Sequence, residues 1–184
     1  APGAPEAPQV AAWRCAEALG QFAGPAVPKV MVKLCLPAAA ACLAEVSPDA
    51  QGARARVAVA CCGFLRSAIG QLGRGILEKL AVLMPPMLHV ARVVGLADPG
   101  QAAAALEDAA ALGQGVLQAL QTVVTSVGAF LSPFLEQMLA LTTEHCHAST
   151  LDLLQGLGRS LAANVPHRLM LPALQAAAAS AGQA

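Results

Sequence analysis

The chain has 184 residues, of which 57% are hydrophobic, 12% are charged and 3% are aromatic, and its formal net charge is zero. It therefore lacks the basic excess of a general nucleic-acid binder, and its six cysteines, two of them adjacent, do not form a disulfide framework. Free, buried thiols in a reducing compartment are the simplest interpretation. Because Ala and Leu are abundant and strand-forming residues are scarce, we expect an all-α fold.

The first seven residues, 1–7, are rich in Pro and Ala and are typical of a linker or arm. Apolar residues at helical spacing then predict a helix over about 8–23 and a partner over 26–46. Proline has no amide hydrogen and clashes with the turn before it. We therefore expect Pro37 to mark a corner in the chain.

The next stretch predicts a long helix over about 50–82, broken near 70–75, and a partner over 85–96 that follows a corner at Pro85-Pro86. Cys61 and Cys62 lie in the middle of the long helix among apolar residues. A redox pair is usually Cys-x-x-Cys at a helix start, so we expect these two thiols to pack in the core.

Basic residues cluster over 54–92, whereas 93–158 contains no Lys or Arg. Such a surface can hold phosphates or an acidic helix, and an ordinary solvated helix face is the alternative. Aromatic residues do not interleave as they do in single-strand RNA binders, so any RNA contact would be with the backbone. The candidate basic interaction face consists of Arg54, Arg56, Arg66, Arg74 and Lys79.

The third pair is predicted over 99–131 and 133–145, with Asp98-Pro99 as the start of its first helix and Ser132-Pro133 as the corner. Steps of three and four residues place one apolar face on the long helix. That face comprises Leu106, Ala110, Gly113, Leu117, Leu120, Val124, Val127 and Leu131, and Phe134, Met138 and Leu141 continue it.

The uncharged stretch 109–135 is long enough to cross a bilayer. Its Gln, Thr, Ser and Gly residues argue against a membrane span, and a lipid-associated helical protein remains an alternative. The adjacent acids Glu107 and Asp108 are expected to face solvent.

The fourth pair is predicted over 148–163 and 166–180, with Pro166 and Pro172 near its corner. Just before it, His145, Cys146 and His147 stand side by side. Neighbouring residues on a helix point to different sides and no second cluster completes four zinc ligands, so we expect a polar helix end there.

The corners at residues 37, 85 and 133 are 48 residues apart each time. A period in the forties with two helices per unit is typical of HEAT-type solenoids. We therefore predict an α-solenoid of about four antiparallel helix pairs, at about 8–46, 50–96, 99–145 and 148–180. A closed helical bundle is the alternative architecture.

No catalytic motif appears in the sequence: there is no Ser/His/acid order, no P-loop and no paired carboxylates. We expect a non-catalytic protein without cofactors. Because charge is scarce, a lone domain would expose much apolar surface, which usually indicates a partner. The sequence therefore favours a segment of a helical array inside a larger assembly.

Two stretches, "VTSVGAFLSPFLEQMLALTTE" and "NVPHRLMLPALQAA", resemble the C-terminal HEAT-repeat region of the large U3 small nucleolar RNA-associated scaffold proteins. Together they cover less than a quarter of the chain. The matching residues are Gly128, Phe130, Ser132, Pro133 and Leu135 in the first stretch, and Val165, Pro166, Arg168, Leu169, Leu171, Pro172 and Leu174 in the second.

The resemblance implies a nucleolar scaffold of the small-subunit processome. Such a protein would support early processing of pre-18S rRNA by holding other proteins, and it would carry no catalytic residues. A HEAT-type adaptor in transport or cytoskeletal regulation, located in the cytoplasm, is the alternative.

Overall fold

A computed structural model describes residues 6–22, 27–47, 52–95, 103–144 and 151–181. Within these ranges every regular element is helical and none is a strand, which confirms the all-α prediction. The first region contains α1 (Glu6–Phe22), α2 (Val27–Val30), a π-helical turn (Met31–Cys35) and α3 (Leu36–Ala44). The helix predicted over about 8–23 is α1, which begins two residues earlier, at Glu6, within the range 1–7 predicted as an arm; residues 1–5 lie outside the described ranges.

The second region contains α4 (Ala53–Leu72), a 3-10 helix (Gly73–Lys79) and α5 (Leu80–Gly95). The break expected near 70–75 is confirmed, since α4 ends where Gly73 adopts a left-handed φ of 50° that favours glycine. The start of α5 was expected at Pro85, and the helix in fact begins five residues earlier.

The third region contains α6 (Ala103–Val127), two 3-10 turns (Gly128–Phe130 and Ser132–Phe134) and α7 (Leu135–Glu144). The fourth contains α8 (Leu151–Asn164) and α9 (His167–Ala181). Ser132-Pro133 and Pro166 therefore lie between helices, as predicted. The expected start at Asp98-Pro99 falls outside the described residues.

Four prolines that were predicted to mark corners do not do so. Pro85, Pro86 and Pro172 lie inside α-helices, and Pro37 is near the start of α3 in a helical run that continues through the π-helical turn. The 48-residue recurrence of prolines therefore does not mark recurring corners.

Solvent exposure explains how these helices tolerate proline. A proline leaves unbonded the carbonyl four residues before it. Those four residues are all exposed, so water can satisfy their carbonyls; they are Lys33, Ala81, Val82 and Arg168. The wider π-helical turn just before Pro37 also gives its ring space.

The helices contact one another in two rows. In the first row α1 packs on α4, α4 on α6 and α6 on α8, while in the second α3 packs on α5, α5 on α7 and α7 on α9. Contacts of α3 with α4, α5 with α6 and α7 with α8 join the rows. Each helix thus packs on its counterparts in the neighbouring pairs, although α5 contacts α6 more extensively than it contacts α7.

The predicted apolar face of α6 is confirmed from Gly113 to Leu131. Gly113, Leu117, Leu120 and Val124 are buried, as are the later Val127 and Leu131, whereas Ala110 is half-buried. A second face is buried as well, because α6 lies between α4 and α8 and also contacts α5. That face comprises Leu112, Val116, Ala119 and Val123. Among the described residues, no polar or charged side chain is buried in this core.

Candidate functional site

Within the described residues, a groove of about 760 Å³ is lined by α1, α4 and α6. Small and apolar side chains form much of its lining, among them Val10 and Ala11 of α1, Ala60 of α4 and Ala111 of α6. Small side chains leave room for another chain to approach closely. Arg14 of α1 adds a positive charge to the same lining.

At one end of the groove, Arg56 of α4 binds Glu6 of α1. The guanidinium donates through Nε to Glu6 Oε1 and through Nη2 to Oε2, the latter at 2.8 Å. This bidentate pairing lowers the pKa of Glu6 and raises the pKa of Arg56. Because the pair is exposed to solvent, it fixes the position of α1 against α4 more than it adds stability.

The same end of the groove contains a cap that was not predicted from the sequence. The backbone amide of Gly52, at the N-terminus of α4, donates a 2.8 Å hydrogen bond to Asp108 Oδ2 of α6. Gly52 has a φ of 61°, which favours glycine. A carboxylate at a helix N-terminus is stabilising. The expectation that Asp108 faces solvent beside Glu107 is therefore wrong: Asp108 is half-buried.

The residues of the predicted basic face are spread along the second region. Arg56 reaches α1, whereas Arg66 donates from Nη1 to Gln118 Oε1 of α6 at 2.7 Å. Arg54 is exposed on α4, about 200° around the helix from Arg56. In the 3-10 helix, Arg74 is exposed and Lys79 is half-buried. The groove therefore contains one member of the predicted set, Arg56.

Sequence reasoning missed Arg14, which shares the groove with Arg56. The available signal was the four-residue spacing of Glu6, Val10 and Arg14, which places them on one face of α1. The neighbouring helix could not be identified from that spacing, because Arg56 is 42 residues further along the chain.

The residues that resemble the U3 RNA-associated scaffold family, called the family-like residues below, lie at or near two junctions between helices. Ser132 and Pro133 are exposed in the 3-10 turn before α7, and Pro166 precedes α9, where its carbonyl accepts from the Leu169 amide at 2.8 Å. Arg168 is exposed on α9, and Pro172 lies inside that helix instead of at a corner.

The cysteines vary in exposure more than the sequence suggested. Cys61 and Cys62 are buried as predicted, and burial raises the pKa of Cys62 to about 12. Cys35 and Cys42 are half-buried, and Cys15 is exposed in the groove, so the expectation of uniformly buried thiols is wrong. His145, Cys146 and His147 lie outside the described residues.

Within the described ranges, no group of three or more His, Cys, Asp or Glu residues is arranged to hold a metal ion. The described part of the chain also contains no helix that combines the length and apolar character needed to cross a bilayer. The chemistry that the groove offers is therefore small apolar contacts beside Arg14, Arg56 and their acidic neighbours.

Comparisons of the chain with protein-family models, with curated proteins and with solved structures found no match.

Proposed function

We propose that this chain is a non-catalytic scaffold, built as a HEAT-like α-solenoid of about four helix pairs, that binds protein partners along its helical surfaces. The observation that carries this proposal is the two-row packing, in which each helix contacts its counterparts in the next pair. Layered packing of this kind is the arrangement of repeat proteins, whose extended surfaces bind partners.

Two further features support a binding role. The groove lined by α1, α4 and α6 is mostly apolar and has charged groups at its edge. Large apolar side chains are also exposed near both ends of the rows, with Leu19 66% exposed on α1, Leu34 66% in the π-helical turn and Leu171 62% on α9. Exposed apolar surface of this kind usually marks an interaction site.

The distance between the outer helices of the first row tests the architecture. Neighbouring helix axes lie about 8–10 Å apart, so three steps from α1 to α8 predict a separation of about 25–30 Å. Spin labels on the exposed Cys15 and on a Gln155→Cys variant of α8, with Cys35, Cys42 and Cys146 replaced by Ser, would measure it. A separation of one helix spacing would instead support the closed bundle.

The groove can be tested by filling it. We expect Ala60→Trp, a half-buried position in the groove, to remove bound partners when the full chain is purified from cells. Ala81→Trp on the exposed side of α5 is the matched control and should retain them. Equal recovery of partners by the two variants, with unchanged helicity, would exclude the groove as the binding site.

We place this scaffold in the small-subunit processome. The support for this placement is the resemblance of the two family-like stretches to scaffold proteins of that assembly. That placement implies a nucleolar location and association with pre-18S rRNA processing factors. Purification of the full chain from cells should then recover U3 RNA. Absence of U3 RNA together with recovery of transport or cytoskeletal proteins would favour the adaptor alternative in the cytoplasm.

Direct RNA contact is proposed only through the phosphate backbone. The exposed Arg54 and Arg74 are available for such a contact, whereas Arg56 and Arg66 already bind side chains of neighbouring helices. Replacement of Arg54 and Arg74 by Glu should then weaken binding of an RNA duplex about equally for different sequences. Unchanged binding would assign these arginines to ordinary solvated surface.

A further inference from the structure

Two thiols meet where α3 packs on α4. Cys61 of α4 donates from Sγ to the backbone carbonyl of Ala39 at 3.6 Å. Cys42 follows Ala39 by three residues on α3 and therefore lies on the same face of that helix. Each of the two thiols, Cys42 and Cys61, also shifts the pKa of the other, which requires that their side chains be neighbours. The two thiols are therefore neighbours at the junction of the first and second helix pairs, and they are called the facing thiols below.

The adjacent Cys62 has a different neighbour. Its Cβ lies 3.1 Å from the position that a Cβ on Gly115 would take, so Cys62 packs against α6. Cys61 and Cys62 are both buried and Cys42 raises the pKa of each, but of the two only Cys61 contacts the Ala39 carbonyl of α3 among the described contacts. Cys62 is therefore a matched control for any chemistry at Cys61.

The two facing thiols also differ in reactivity. Interaction with Cys61 lowers the pKa of Cys42, whereas the same interaction and burial raise the pKa of Cys61. Cys42 is half-buried and Cys61 is fully buried. Since the thiolate is the nucleophile, Cys42 is the sulfur that a small oxidant would reach and react with first.

We propose that Cys42 and Cys61 form a redox modification site, in which a hydroperoxide converts the two facing thiols into a reversible disulfide between α3 and α4. The Cys42 thiolate attacks the peroxide, the O–O bond breaks, and Cys42 becomes a sulfenic acid as the peroxide is reduced to an alcohol or water. The Cys61 sulfur then attacks Cys42 Sγ, the S–OH bond breaks, and the hydroxyl leaves as water with the Cys61 proton.

The cross-link would join the first helix pair to the second. A disulfide has an S–S length of about 2.05 Å, so the two sulfurs must approach by side-chain rotation. Because α3 and α4 are already in contact, no helix has to leave its neighbour. The result is a covalent restraint on the junction, which a dithiol reductant removes.

Peptide mapping of the full chain after treatment with hydrogen peroxide tests the site. We expect a tryptic cross-link between 34–54 and 57–66, and a fall from six free thiols to four in denaturant. Each of these peptides contains two cysteines, so single variants decide the pairing. Cys42→Ser and Cys61→Ala should abolish the cross-link, while Cys35→Ser and Cys62→Ala should retain it. Persistence in Cys61→Ala, or addition of oxygen to Cys42 without any cross-link, would overturn the proposal.

Thermal melting provides a second readout. A loop of this length closed by a disulfide should raise Tm by roughly 5–10 °C, and dithiothreitol should reverse the shift. The Cys62→Ala variant keeps both facing thiols and should show the same shift. If the mapped cross-link forms and Tm does not change, the disulfide exists but does not restrain the junction, which contradicts that part of the proposal.

Discussion

Gly128, at the C-terminal end of α6, lies directly against the backbone of Asn164, the last residue of α8. A Cβ added at Gly128 would come within 2.6 Å of the Asn164 carbonyl oxygen. The two family-like stretches therefore meet in space, since Gly128 belongs to the first and Asn164 begins the second. The absence of a side chain at Gly128 is what lets the ends of α6 and α8 approach so closely.

We expect Gly128→Ala to destabilise the fold by about 1–3 kcal/mol, because the new methyl group would push a backbone segment that cannot rotate away. Thermal or urea unfolding would measure the loss. Gly158→Ala in α8 is the control, since nothing lies within 4 Å of its Cβ position and alanine is the better helix former. If both variants have the same stability, the close approach of α6 and α8 is wrong.

The two classes of proline should respond differently to replacement by alanine. Pro172 lies inside α9, so Pro172→Ala restores an amide donor toward the Arg168 carbonyl and should raise stability by about 1–2 kcal/mol. Pro133→Ala should change little, because Pro133 lies in a 3-10 turn before α7 and alanine also suits a first turn. Comparison of their melting temperatures checks this expectation. A loss of stability in Pro172→Ala would contradict it.

Leu120 tests the buried face of α6. Its side chain is 0% exposed, so Leu120→Ala should cost about 2–5 kcal/mol, and Leu120→Asp should unfold the chain by burying an unpaired charge. Leu171→Ala on the exposed face of α9 should stay within about 0.5 kcal/mol of the parent chain. Far-UV circular dichroism and melting measure both. A Leu120→Asp chain with full helicity would show that this face does not lie inward.

The stabilising effect of the Asp108 hydrogen bond at the N-terminus of α4 can be separated from the effect of negative charge on α6. Asp108→Ala removes the acceptor for the Gly52 amide and should cost about 1 kcal/mol, which urea unfolding can measure. Glu107→Ala removes the neighbouring exposed carboxylate and should have a smaller effect. Equal losses in the two variants would mean that the charge, and not the hydrogen bond, is responsible.

The Glu6–Arg56 pair predicts a pH dependence. The folded-state pKa of Glu6 is lowered from 4.5, so its contribution is present above the unfolded pKa and is lost as the pH falls through the lower folded value. Glu6→Gln should therefore be less stable than the parent at neutral pH and equal to it in acid. Unfolding experiments at both pH values and at low salt would measure the difference. A difference that persists in strong acid would exclude the pair as its cause.

Helix formation in this chain could be predicted from local information. The three- and four-residue spacing on α6 identified residues from Gly113 to Leu131 that are buried, and the glycines near Gly73 identified the break after α4. The prediction of a corner at each proline was wrong at four prolines because the sequence does not show which side of a helix is solvated. The residues four positions before Pro85 and Pro172 are exposed, so water can reach the carbonyls that these prolines leave unbonded, and the helix continues.

The groove and its contacts depend on pairs that are far apart in the chain. Glu6 and Arg56 are 50 residues apart, and Gly52 and Asp108 are 56 apart. A single sequence contains no signal that brings such residues together. The basic segment was identified by composition. Its arginines bind different helices, Arg56 a residue of α1 and Arg66 a residue of α6, and this depends on which helices flank α4.

The entirely apolar core of the described residues has a mechanical consequence. Among the described residues, the contact of the Cys61 thiol with the Ala39 carbonyl is the exception, and side-chain shape otherwise sets the relative position of one buried helix pair on the next. Beyond the first two pairs, small sliding movements between neighbouring helices would break no fully buried polar contact of the described residues. We therefore expect the array of helices to extend under load and to return to its original length before any single helix unfolds.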